Sequence, residues 1–224
     1  MTERDDYNQN IEVVYPNLTS KVCQSKAKYP LDIYSATGSL LNNESVVICG
    51  GSSPKTSACY SLGQNMEWTS WQDMTTKRSS HASIVTQRGI WVTGGTDGRN
   101  KLKSTELLQK FSAYKGVDLP DARSVHCLIQ DGEKIFLIGG HDGSGRQSSV
   151  WQFDASNDFS HTVEKSMNHV RSDHACGIFH SVAHSGRPVM VAAGSYYGDG
   201  MDSSEFWDYT QPGSKWQLSK SPFI

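Results

Sequence analysis

Ile135-Phe136-Leu137-Ile138-Gly139-Gly140-His141-Asp142-Gly143 decides the fold, because its parts return at a near-constant interval along the chain. Val46-Val47-Ile48-Cys49 leads into Gly50-Gly51, and Ile90-Trp91-Val92-Thr93 into Gly94-Gly95. Val189-Met190-Val191-Ala192 leads into Ala193-Gly194. Taking the second small residue of each pair as marker, positions 51, 95, 140 and 194 lie 44, 45 and 54 residues apart. A self-similar period of this size is the signature of a repeat architecture.

Two further landmarks keep the same register. Upstream of three runs stand Arg78-Ser79-Ser80-His81, Arg123-Ser124-Val125-His126 and Arg171-Ser172-Asp173-His174; before the first run, Tyr34-Ser35-Ala36-Thr37 keeps only the serine. Downstream of each small pair come a polar loop and a short β-prone stretch, such as Ser104-Thr105-Glu106-Leu107-Leu108 and Ser149-Val150-Trp151-Gln152-Phe153. Trp71 and Trp216 mark a fourth strand in the first and last repeats, with Tyr114 and Val163 as the nearest substitutes in the other two. Each repeat therefore reads as four short strands with no competing helical periodicity. One such unit cannot bury both faces alone, so neighbours stack radially as a β-propeller. The continuous apolar runs suit strands covered on both faces. The structural glycines Gly50, Gly51, Gly94, Gly95, Gly139, Gly140 and Gly194 suit a crowded strand end where a positive φ or close backbone approach excludes a Cβ.

Arg-x-x-His, an apolar strand ending Gly-Gly, an Asp-Gly turn (Asp97-Gly98, Asp142-Gly143), Ser-Thr-Glu and then Trp together resemble the kelch motif. The resemblance runs from about Tyr34 to Trp216, and four copies in register are far more specific than one. WD40, the other common propeller repeat, needs Gly-His and Trp-Asp landmarks; Trp207-Asp208 occurs once, out of frame. The fold class expected is all-β, a kelch-type β-propeller of four-stranded antiparallel blades, with one domain over residues 1–224. Its divisions are a partial first blade over 1–30 and whole blades over 31–76, 77–121, 122–169 and 170–224. Asn10-Ile11-Glu12-Val13-Val14 matches the third strand of a repeat. Because kelch propellers usually close with six or seven blades, four blades and a part are expected to be a fragment of a larger ring; a closed five-bladed ring is the rival reading.

Composition narrows the function classes. Net charge is −2 with lysine and arginine scattered, so no basic stripe argues for nucleic acid. The apolar runs fall far short of the roughly 20 residues that cross a bilayer, so no membrane insertion is expected. The polar start, Met1 to Asn10, is not a secretory signal. There is no Cys-x-x-Cys, Gly-x-Ser-x-Gly, His-Glu-x-x-His or Walker-type loop. No cofactor, metal or catalytic residue is expected, and the tyrosine–histidine cluster of kelch-type copper oxidases is not assembled here.

The function expected is capture of a protein or peptide partner at a channel rim formed by inter-blade loops. In kelch-domain adaptors, arginine and serine at that rim bind acidic peptides, which makes Arg78, Ser79, Arg123, Ser124, Arg171 and Ser172 candidate contacts through forked and hydroxyl hydrogen bonds. The competing reading is that each arginine pairs with a carboxylate and ties the repeats together. Asp97, His141, Asp142 and the Tyr196-Tyr197 pair lie in loops less constrained by the repeat and are further candidates. His81, His126 and His174 sit in register on different blades, where hydrogen bonding to nearby backbone is the plainer alternative to a shared metal. A structural or adhesive extracellular scaffold is the other function class.

Five cysteines leave at least one unpaired within a monomer. Cys49 and Cys59 fall on adjacent antiparallel strands and form a candidate disulfide, with Cys23 as another possible partner, while Cys127 and Cys176 read as core residues beside the histidines. With the sequons Asn17-Leu18-Thr19 and Asn43-Glu44-Ser45, this favours an extracellular compartment. The cytoplasmic alternative is the propeller of a ubiquitin-ligase adaptor.

Overall fold

The computed structural model describes residues 10–13, 24–42, 45–198 and 200–219, and side chains from residue 28 onward. Cys23 and both sequon asparagines, Asn17 and Asn43, lie outside the described residues. Strands β1 (Asn10–Val13) and β2 (Gln24–Lys28) pair antiparallel as a two-stranded sheet. Four antiparallel four-stranded sheets follow. The first blade holds β3 (Thr37–Leu41), β4 (Ser45–Cys49), β5 (Cys59–Leu62) and β6 (Trp68–Ser70). The second holds β7 (Ala82–Thr86), β8 (Gly89–Thr93), β9 (Thr105–Gln109) and β10 (Ser112–Lys115). The third holds β11 (Cys127–Asp131), β12 (Lys134–Ile138), β13 (Val150–Asp154) and β14 (Ser160–Val163). The fourth holds β15 (Ala175–Ser181), β16 (Arg187–Ala193), β17 (Ser204–Trp207) and β18 (Gln217–Leu218). The first strands of successive blades touch in the order β3, β7, β11, β15, which makes them the innermost wall of a propeller.

The period of two along a strand divides each apolar run between two seams. Ile90 and Val92 of β8 meet Val47, Cys49 and Met74 of the preceding blade, whereas Trp91 meets Ile135, Leu137 and Phe153 of the next. Phe136 and Ile138 of β12 likewise join Met190, Ala192 and Trp207 of the fourth blade. The unbroken hydrophobicity of these runs follows from having no solvent face at all.

Backbone register corrects three sequence alignments. Tyr34 bridges Ser52 as Ser79 bridges Thr96 and Ser124 bridges His141, so Ile33, not Tyr34, stands where the other blades have arginine. Gly194 donates to Ser203 O as Gly94 does to Ser104 O, so Gly194 is the first residue of its pair and Ser195 the second. Trp71 and Trp216 border β6 and β18 rather than lying within them. Tyr114 and Val163 are exposed and do not replace them. Beside β14 of the third blade the buried aromatic is Phe159, in the loop before that strand, stacked on Trp91 with centroids 4.4 Å apart.

Two disulfides are present among the described residues. Cys49 and Cys59 face one another across β4 and β5 with Cα atoms 4.2 Å apart. Cys127 and Cys176 were expected as separate core residues; instead they join β11 to β15 across the seam of the third and fourth blades, Cα atoms 6.1 Å apart. Their separation of 49 residues hides the pairing in the sequence, and only adjacent innermost strands reveal it. By chain entropy, closing such a loop is worth up to about 4 kcal/mol. The double variant Cys127→Ser/Cys176→Ser is expected to lose roughly 2–4 kcal/mol in urea unfolding. An unchanged midpoint would show that the bridge does not form.

Candidate functional site

The second, third and fourth blades are each led in by a loop whose arginine is deeply buried. Arg78, Arg123 and Arg171 are 0%, 1% and 0% exposed. Arg78 Nη1 donates to Gly94 O (2.7 Å) and Ser104 O (3.0 Å), and Nη2 meets Glu106 Oε1 at 2.6 Å. Glu106 in turn accepts from the backbone N–H groups of Thr75 and Thr76. Arg171 repeats the arrangement, donating to Gly194 O, Gly200 O and Ser203 O and pairing with Glu205, which accepts from the N–H groups of Asn168 and His169. The carboxylate thus ties the inter-blade connection, and the arginine carries that tie to the glycine-bearing loop. Four residues ahead of each arginine a buried apolar anchor recurs, as Met74, Leu119 and Met167. The regular spacing of these anchors is visible in the sequence once the arginines are aligned.

The third blade departs from this pattern. Trp151 occupies the place of Glu106 and Glu205, as the register of β12 with β13 shows. Arg123 lies 4.3 Å over the Trp151 ring and donates to Ser149 Oγ (3.1 Å) and Gly139 O (3.4 Å), with no carboxylate in contact. Burial pushes its pKa down, with Asp142 and Asp121 opposing that shift. Its charge is held by an aromatic face, a hydroxyl and a carbonyl, with Asp142 and Asp121 acting from beyond contact.

Arg78, Ser79, Arg123, Ser124, Arg171 and Ser172 are therefore spent inside the fold, which corrects their expected role as partner contacts. All six are buried. Ser79 Oγ accepts from Lys55 Nζ at 2.6 Å, and Ser124 Oγ donates to His141 O at 3.2 Å. Each arginine instead holds its own blade's glycine loop, and in the second and fourth blades it does so with the carboxylate that ties the inter-blade connection.

The in-register histidines pack into the seams one by one. A Cβ on Gly50 would fall 2.7 Å from the His81 ring, and one on Gly139 2.9 Å from the His174 ring, so each imidazole uses the space a glycine of the preceding blade leaves open. A Cβ on Gly94 would lie 2.1 Å from Arg123 O. His126 bonds Thr93 Oγ1 at 2.7 Å rather than backbone. Among the described residues, no group of histidine, cysteine and carboxylate side chains is placed to hold a metal. Burial, then the neighbouring arginine, lowers His81 and His126 to about 3 and His174 to about 4. Between His and glycine runs a circumferential ladder: Ser80 N–H donates to Ser35 O, Val125 N–H to Ser80 O, and Asp173 N–H to Val125 O, at 2.8–3.0 Å. All four residues have φ between 49° and 55°, a conformation costly for Val125 and stabilised by the ladder itself.

What faces solvent at this rim is the pair after each glycine step: Ser52-Ser53, Thr96-Asp97, His141-Asp142 and Tyr196-Tyr197. Backbone bonds from Thr96, His141 and Tyr196 to the serine of the leading loop put them in one register. Asp97 Oδ1 accepts from Arg99 N (2.7 Å) and Asn100 N (2.8 Å), and Asp142 Oδ1 from Ser144 N (2.7 Å) and Gly145 N (2.8 Å). The Gly145 bond leads in holding Asp142 down to about 2. Tyr196 and Tyr197 are 63% and 55% exposed, their rings edge-on at 4.4 Å, with the Arg146 guanidinium 5.9 Å over Tyr197. A row of cations escaped sequence reasoning: Lys55 Nζ donates to Thr96 O (3.1 Å), Lys101 lies against Gly143 and Arg146 against Gly198, each reaching the next blade's loop. Their signal is a basic residue four to six positions after the glycine step.

Arg78→Met strands the buried Glu106 carboxylate and is expected to cost about 3–5 kcal/mol. Arg123→Met strands none and is expected to cost less than about 2 kcal/mol; chemical unfolding of the two variants compares them. The buried histidines stay neutral in the fold, while the unfolded chain binds protons as pH falls below about 6.5. Stability is therefore level above that pH and declines from about 6.5 toward 4, by up to about 1.4 kcal/mol per pH unit for each of His81 and His126. Unfolding midpoints measured from pH 7.5 to 4.5 check this, and His126→Gln is expected to flatten the slope.

Residues 122–161 match the Kelch motif. The chain is 31% identical over 101 residues to the spermatocyte protein spe-26 of Caenorhabditis elegans, covering 44% of this chain and 18% of that protein. It is 28% identical over 140 residues to beta-scruin of Limulus polyphemus, covering 54% and 15%. The matched regions thus span less than a fifth of these relatives. Among solved structures, YjhT superimposes with a TM-score of 0.70 at 16% identity, over 87% of this chain and 66% of that one. Residues 122–161 carry the Kelch motif, and the recurring arginine, histidine and glycine landmarks on four stacked four-stranded blades, with these matches, support a kelch-repeat propeller.

Proposed function

We propose that this propeller is a protein-interaction module whose partner binds at the rim built by the loops after the glycine steps, with Tyr196 and Tyr197 as anchors and Asp97, His141 and Asp142 around them. The observation that carries this reading is an exposed pair of tyrosines beside an ordered arginine, on loops that backbone bonds hold rigid. Tyrosine and arginine dominate interface energetics because they bury large area with little entropy to lose. The other titratable candidates suit catalysis poorly, since His81 and His126 are sealed in seams and held neutral at physiological pH. The scaffold reading differs in putting contacts on blade sides, where Val163 is exposed. Both disulfides favour an oxidising compartment for either reading.

Affinity purification from the source tissue, with the full chain against Tyr196→Ala/Tyr197→Ala, tests the rim. A partner retained by the full chain is expected to fall at least about tenfold in the double variant, equivalent to about 1.4 kcal/mol. Retention unaffected by the double variant but lost on Val163→Asp would replace the rim by the scaffold reading.

A further inference from the structure

The loop between the third and fourth strands carries an aromatic side chain in three successive blades: Phe111, Phe159 and Tyr209. Two of them close a seam. Phe159 stacks on Trp91 of the preceding blade, under the Arg88 guanidinium at 5.4 Å. Tyr209 packs on Phe136 of the preceding blade at 5.0 Å and its hydroxyl donates to Asp131 at 2.6 Å. The seam of the first and second blades differs on both sides. Val47 stands in the register position of Trp91 and Phe136, three residues before the first glycine. Phe111 is 84% exposed, with its ring centroid 5.3 Å from Lys110 Nζ, and it borders the space rather than closing it. What remains is an open groove of ≈ 820 Å³, on the face opposite the glycine loops, with Leu41, Trp71, Val85 and Leu108 among its apolar lining.

We propose that this groove is a docking site for an aromatic side chain of a partner protein, carried on an acidic extended segment. The two filled seams show what this edge of a seam accepts, an aromatic ring completed by a polar group; here Val47 is already covered, and the ring would lie on Leu41, Trp71, Val85 and Leu108. The acidic flank follows from the mouth, where the charged residues among the described lining are Arg88 and Lys110. Arg88 does meet Asp158 at 3.0 Å, but both ends are largely in water, and such a pair holds the cation only weakly. The volume lies within the range of ligand-binding clefts, roughly 300–1,000 Å³, and so has room for a ring together with flanking peptide. This site is separate from the tyrosine rim and stands or falls independently of it.

The probe is a fluorescein-labelled peptide, Asp-Glu-Phe-Glu-Asp, titrated with the full chain and read by anisotropy. Saturable binding is expected, at least about tenfold weaker when alanine replaces the peptide's phenylalanine. Leu41→Trp, which fills the groove from its own wall, is expected to weaken binding about tenfold; Arg88→Glu/Lys110→Glu, which leaves the apolar floor intact, about fivefold or more. Tyr196→Ala/Tyr197→Ala is expected to leave it unchanged. Binding that emerges only in Phe111→Ala supports the site, with Phe111 as a competing occupant. The proposal is overturned if neither the full chain nor Phe111→Ala binds to saturation, or if Leu41→Trp and the double charge reversal both bind as the full chain does.

Discussion

A guanidinium taken out of water costs several kcal/mol unless every donor finds an acceptor. Arg171 meets that demand with a glutamate on the third strand and carbonyls of the glycine loop, and Arg78 does so at both Nη atoms, its Nε going without an acceptor. The same glutamates accept the backbone N–H groups of the loop that leads from the preceding blade. One buried ion pair thereby fixes three segments relative to one another, and the pair is specific because its geometry tolerates little displacement. The blade seam follows from it. With the arginine in place, its own carbonyl closes on the preceding blade's first glycine, where no Cβ fits, and the histidine ring takes the remaining space.

The four blades solve the same packing problem with different chemistry. The first has Ile33, Ala36 and Tyr60 in the places of arginine, histidine and glutamate. Tyr60 lies edge-on to Tyr29 at 5.7 Å, on the side away from the second blade. The second and fourth use the ion pair. The third keeps the arginine but exchanges the carboxylate for Trp151, replacing a Coulombic partner by a quadrupole and adding bulk to the core shared with Trp91 and Phe153. At the innermost wall, the Ser83 hydroxyl shares hydrogen bonds with those of Thr37 and Ser39 across the first seam, where Cys127–Cys176 holds the last. Such variation is expected of stacked repeats, in which each interface contributes separately.

Stability and recognition are divided between the two ends of the same loops. The buried end is regular, because every blade must meet its neighbour. The exposed end varies from Ser52-Ser53 to Tyr196-Tyr197 at constant backbone register, which is how a repeat fold offers a surface that need not repeat. Asp97 and Asp142 belong partly to each end, since the carboxylate that faces solvent also closes its own turn.

Much of this was legible in the residues alone. The glycine steps, the Arg-Ser-x-His register and the continuous apolar runs specify blade number, strand order and the buried strand, because each reports a local requirement: left-handed backbone, a packed ring, two covered faces. The Cys49–Cys59 pairing was legible for the same reason, lying within one antiparallel pair. What tertiary structure alone decided is which side of a boundary each polar group falls on. Arg78 and Arg171 read equally well as rim donors or as inter-blade ties, and only the position of Glu106 and Glu205 across the blade assigns them inward. Cys127 and Cys176 belong to different repeats, so no local pattern joins them. Phe111, Phe159 and Tyr209 share a place in the repeat, yet one is left in water and two enter a seam, because Trp91 and Phe136 offer a ring where the preceding blade gives Phe111 only Val47, and these neighbours lie a blade away in sequence and are adjacent only in space.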